Sequence, residues 1–76
     1  MTTAEIDQTI LAVAETKWQK VAMITTTACK RLGHDAYRDS ASLDLILGRV
    51  QALVSDGRLI AQGDITRPRS SEVRLP

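Results

Sequence analysis

The sequence predicts an α+β domain in which three helices are followed by a C-terminal β-hairpin. Two features of the stretch Leu43 to Pro76 carry that expectation: an amphipathic run that stops at a glycine, and a change of hydrophobic period just beyond it. A third is size, since 76 residues suit one domain with one small core. At helical spacing, Leu43, Ile46, Leu47, Val50, Leu53 and Val54 share a face. Asp39, Ser40 and Ser42 are candidate N-caps, and Asp44 adds negative charge to the first turn. Gly57 stands where a left-handed residue commonly ends a helix. Leu59 and Ala61 then alternate with Arg58, Ile60 and Gln62, and Val73 and Leu75 alternate with Glu72, Arg74 and Pro76. Gly63-Asp64 and a loop containing Pro68 join the two runs into a hairpin with a long polar tip. Leu59 and Ala61 should oppose Val73 and Leu75 on the inner face. Leu47, Val50 and Leu53 should be among the most buried residues.

Upstream, Thr2 and Glu5 have capping-box spacing, so a first helix should start near Thr3. Ile6, Ile10, Val13, Ala14 and Lys17 lie along one face of it, and Leu11 falls off that face. Trp18 interrupts the pattern, as a short extended link or as the start of the next helix. Its large ring is expected in the core. A second helix is expected over about Gln19 to Leu32, with Val21, Ile24, Thr25, Ala28 and Leu32 inward and Gly33 as its stop. Thr25 to Thr27 lose χ1 freedom in a helix, so packing must hold that stretch helical. Gly33 to Ser40 is a polar eight-residue loop, longer than the turn of a strict helix-turn-helix. Helix, helix, helix, hairpin in this order fits a winged-helix-like domain over residues 1–76. In that architecture a short strand near Trp18 often pairs with the hairpin.

Composition narrows the function classes. Apolar residues make up 43% and charged residues 25%, ordinary for a globular protein. The net charge of +1 gives no overall pull toward nucleic acid or anionic lipid. Cys29 is the only cysteine, which rules out an intramolecular disulfide and fits a reducing cytoplasm. The N-terminal MTTAEIDQTI lacks the basic segment and apolar core of a signal peptide, and no run approaches a membrane span. The expected location is therefore cytoplasmic.

Three motifs, W-Q-K-V-A at Trp18 to Ala22, G-R-L-I-A-Q-G-D-I at Gly57 to Ile65 and S-E-V-R-L-P at Ser71 to Pro76, carry a resemblance that spans nearly the whole chain. Together they resemble a small bacterial domain family without an assigned function. The resemblance implies a C-terminal, winged-helix-like module in a bacterial cytoplasmic protein. In that family the module follows another domain, whereas this sequence reads as the module by itself. The resemblance transfers no catalytic residue.

Candidate sites divide into three groups. Cys29 and His34 could begin a nucleophilic pair or a metal site, but no second Cys or His completes a ligand set. The plainer reading is a small, partly buried apolar residue at Cys29 and a solvated imidazole at His34 beside a helix end, with no catalytic residue, cofactor or metal. Arg67 and Arg69 flank Pro68 at the hairpin tip, where a wing would reach a phosphate or a minor groove, and Arg49 is the basic residue on the outer face of the third helix. These three form the candidate nucleic-acid set. The rest of that outer face, Asp44, Leu45, Gly48, Ala52 and Ser55, suits DNA poorly, because Asp44 repels phosphate and the small residues favour close helix approach. Leu45, Gly48 and Ala52 are the candidate protein contact. The expected function is a non-catalytic macromolecule-binding module, for protein–protein interaction or self-association. The alternative is a DNA-binding winged helix-turn-helix regulator. The expected partner is a protein or a second copy, with no membrane and no small-molecule substrate.

Overall fold

The computed structural model describes all 76 residues. The chain runs α1 (Thr3–Val13), β1 (Gln19–Lys20), α2 (Val21–Arg31), α3 (Ser40–Ser55), β2 (Ile60–Gln62) and β3 (Glu72–Arg74). Three helices pack around one core, and a small antiparallel sheet of order β1-β3-β2 closes it.

α1 begins as its capping box dictates: Glu5 N–H donates to Thr2 Oγ1, and Thr2 N–H donates to Glu5 Oε1. It ends at Val13, earlier than the apolar face running on to Lys17 implies. The cause is tertiary, because Leu75 N–H donates to Glu15 O at 2.8 Å and draws that segment alongside β3. Lys17 is left outside the helix and exposed, while Leu11, expected off the buried face, packs partly against the core.

The expected start of the second helix is also corrected. Gln19 and Lys20 are not helical but extended, paired with Val73 and Glu72. The C-terminal hairpin therefore gains a third strand from just after Trp18, the pairing expected of a short strand at that position. Continuing this register by one residue sets Trp18 opposite Arg74, on the outer face of the sheet. Trp18 accordingly lies outside the core, at 37% exposure, with the Arg74 guanidinium carbon 5.1 Å from the ring centroid. Ile60 pairs with Arg74 from the other side, so Arg74 lies between an indole and an isoleucine.

The core itself is aliphatic. Ile6, Ile10, Val21, Ile24, Ile46 and Val50 are buried with Leu53, Leu59 and Val73. Ala61 pairs with Val73 as the alternation requires, though it and Leu75 are only partly buried. Leu47 is likewise half-buried rather than among the most buried, and Ile46 occupies the centre of that face in its place. Thr25 keeps its place in α2 by donating its hydroxyl to Val21 O at 2.8 Å.

Gly33 and Gly57, with φ of 84° and 77°, follow α2 and α3 as left-handed stops. α3 starts at Ser40 on an Asp39 N-cap, whose carboxylate accepts from Ser42 N–H. The polar loop before it is partly anchored, with Ala36 buried.

Candidate functional site

Three groups of side chains carry chemistry in this chain, and each follows from how the elements are positioned.

The first surrounds the start of α3. Asp39 Oδ2 accepts from Ser42 Oγ at 2.8 Å and lies 3.1 Å from His34 Nδ1. Ser42 Oγ is itself 3.4 Å from the same His34 nitrogen. Although serine, histidine and aspartate meet here, the hydroxyl donates to the carboxylate, and both groups converge on one ring nitrogen. Nucleophile activation needs the hydroxyl and the carboxylate on opposite nitrogens. The geometry is that of a helix cap joined to the preceding loop. The Ser42 hydroxyl, then its backbone N–H and then His34 hold the Asp39 carboxyl below the usual carboxylate range. His34 is half-buried in this cap rather than freely solvated. Cys29 is buried, and desolvation with help from Asp39 and Asp35 pushes its thiol pKa up, away from nucleophilic reactivity. No group of three or more His, Cys, Asp or Glu side chains is placed to hold a metal ion.

The second group is the outer flank of α3 beside α1. Leu45, at 56% exposure, Gly48 and the half-buried Ala52 lie along it. A Cβ at Gly48 would meet no atom within 4 Å. Arg49 lies on the same flank but turns onto α1: its Nε and Nη2 donate to Asp7 Oδ1 and Oδ2 at 2.9 and 3.0 Å. The two side chains are only 30% and 16% exposed. This bidentate bond, opposed by burial, holds the Asp7 carboxyl below its ordinary value. Nothing local in the sequence pairs two residues 42 positions apart.

The third group lies on the opposite flank of α3. The β2–β3 loop, expected as a long polar tip, folds back onto the start of α2. Val21 N–H donates to Ser71 O at 3.1 Å, and Ala22 N–H donates to Pro68 O at 2.9 Å. α2 has no side-chain N-cap, so loop carbonyls serve that purpose. The loop is braced internally by Thr66 on Asp64 Oδ1 and by Ser71 Oγ on Arg67 O. Gly63 admits this fold, with φ of 81° and Ser70 O just 3.0 Å from where a Cβ would stand. Between loop, α2 and α3 runs an open groove of about 570 Å³. Leu43, Leu47, Ala22 and Pro68 supply its apolar lining, and Arg67, Arg69 and Asp44 its charges. Arg67 and Arg69 have no ion-pair partner and are exposed, on the other side of α3 from Arg49.

The candidate residues thus fall into two places. Leu45, Gly48, Ala52 and Arg49 share the α1 flank, and Arg67 with Arg69 borders the groove. No family model, curated protein or solved structure matches the chain. No helix is long and apolar enough to cross a membrane.

Proposed function

We propose that this chain is a winged-helix-like, non-catalytic module that binds a protein, a partner or a second copy, through the α1 flank of α3. The element order and the β1-β3-β2 sheet support the winged-helix reading, the β2–β3 loop being its wing. Gly48 carries the functional part. A glycine inside a helix costs about 1 kcal/mol relative to alanine, and no neighbouring atom in this fold demands one. Close approach of an outside surface does supply a reason, and exposed Leu45 and half-buried Ala52 flank the gap.

DNA binding is the second reading, supported by the unpaired Arg67 and Arg69 on the wing. It is weakened at the helix, because Arg49, the one cation of α3, is engaged by Asp7 and Asp44 would face phosphate.

The test is Leu45→Glu. It should keep the wild-type circular dichroism while lowering the mass in light scattering, or abolishing recovery of a partner that the wild type retrieves. A wild type that stays monomeric and retrieves nothing would remove the basis for the contact surface. A gel shift that weakens steeply with salt would favour the DNA reading instead.

A further inference from the structure

We propose that the groove between α2, α3 and the β2–β3 loop receives an extended peptide segment of a partner protein, carrying apolar and acidic side chains in alternation. This is a second surface, on the opposite flank of α3 from Leu45, and it stands or falls independently of the first.

Charge complementarity argues for the acidic side chains. Arg67 and Arg69 have no carboxylate partner, which is equally true of Lys20, Lys30, Arg31, Arg58 and Arg74, but they are the basic residues that line the groove. Their loop is held in place, so their backbone is already ordered. The Asp64–Thr66 turn and the Ser71–Arg67 bond brace it, and the Pro68 and Ser71 carbonyls tie it to α2. Ordering before binding removes part of the entropic penalty of a contact.

The apolar side chains follow from the lining. Leu43 and Leu47 are half-buried against the core and open on the groove, beside Ala22 and Pro68. A volume of about 570 Å³ suits a few side chains. In an extended segment alternate side chains face opposite ways, so one row can meet leucines while the other meets guanidinium groups. Nucleic acid fits less well: phosphates gain nothing from an apolar lining, and Asp44 repels them. A peptide can answer Asp44 with a backbone N–H.

The test uses hexapeptides of alternating leucine and glutamate, with glutamine and lysine series as controls, titrated into isotope-labelled protein. The glutamate series should bind, shifting the amides of Ala22, Thr25, Thr26, Leu47 and Ser70 but not those of Leu45 and Ala52. It should bind about tenfold more tightly than the glutamine series, from two charge-assisted contacts. That advantage should shrink with added salt in the wild type, and vanish in Arg67→Gln/Arg69→Gln. Leu45→Glu should leave it intact. Equal binding of the three series, no binding of the glutamate series, or shifts away from the groove would overturn the proposal. Displacement of the peptide by a short DNA duplex that binds more tightly would assign the groove to nucleic acid.

Discussion

The guanidinium of Arg49 grips the carboxylate of Asp7 with two nearly parallel hydrogen bonds, joining α3 to α1 near the surface of the helical layer. The same contact fastens two helices and removes the only basic side chain of α3 from any ligand.

This pair has a pH signature. The Asp7 carboxyl is depressed below its unfolded value, so in acid the unfolded chain binds more protons than the folded one. The pair's stability is present above the unfolded carboxylate pKa of about 4 and disappears as pH falls through the folded pKa beneath it. Between pH 5 and pH 2 the wild type should therefore lose more of its melting temperature than Asp7→Asn does. Equal slopes for the two would show that Arg49 does not hold Asp7 in solution.

Gly48→Ala separates folding from function. With open space at the Cβ position, the substitution should stabilise the isolated domain by about 0.5–1 kcal/mol. It should also weaken the contact proposed for the α1 flank. Urea titration reads the first effect, and light scattering or partner recovery reads the second. A stabilised variant with undiminished association would leave Gly48 without a role in contact.

Leu53 is 1% exposed within the core cluster, so Leu53→Ala should cost about 2–5 kcal/mol. A domain of this size rarely has more than about 3–5 kcal/mol from its core. The variant should be largely unfolded by circular dichroism at room temperature. A loss below about 1 kcal/mol in chemical denaturation would contradict the burial of this face.

Two glycines test the loop. Gly57→Ala and Gly63→Ala both impose a left-handed conformation on alanine, at about 1–2 kcal/mol. Only Gly63→Ala also brings a Cβ to 3.0 Å from Ser70 O. Its melting temperature should fall further than that of Gly57→Ala. It should also speed amide exchange at Val21 and Ala22, whose N–H groups the loop carbonyls hold. Unchanged exchange there would mean that the loop does not cap α2.

Local chemistry was enough for much of this fold. The Thr2–Glu5 box set the start of α1, Asp39 capped α3, and Gly33 and Gly57 closed two helices, because each acts within one turn of chain. The inward placement of Ile46, Val50, Leu53, Leu59 and Val73 followed from periods of 3.6 and 2, which a single sequence displays. What lay outside its reach was decided between distant segments. A short strand near Trp18 was expected, but only its register on β3 took Gln19 and Lys20 out of the second helix and set Trp18 outside the core, where size alone had suggested an interior ring. Asp7 claimed Arg49, and the loop carbonyls claimed the start of α2. The candidate surfaces divide the same way. The exposure of Leu45 followed from helical phase, whereas the groove exists only because three separate segments converge. Hydrogen bonds and ion pairs between remote residues leave no periodic trace in the chain, so only the tertiary structure could assign them.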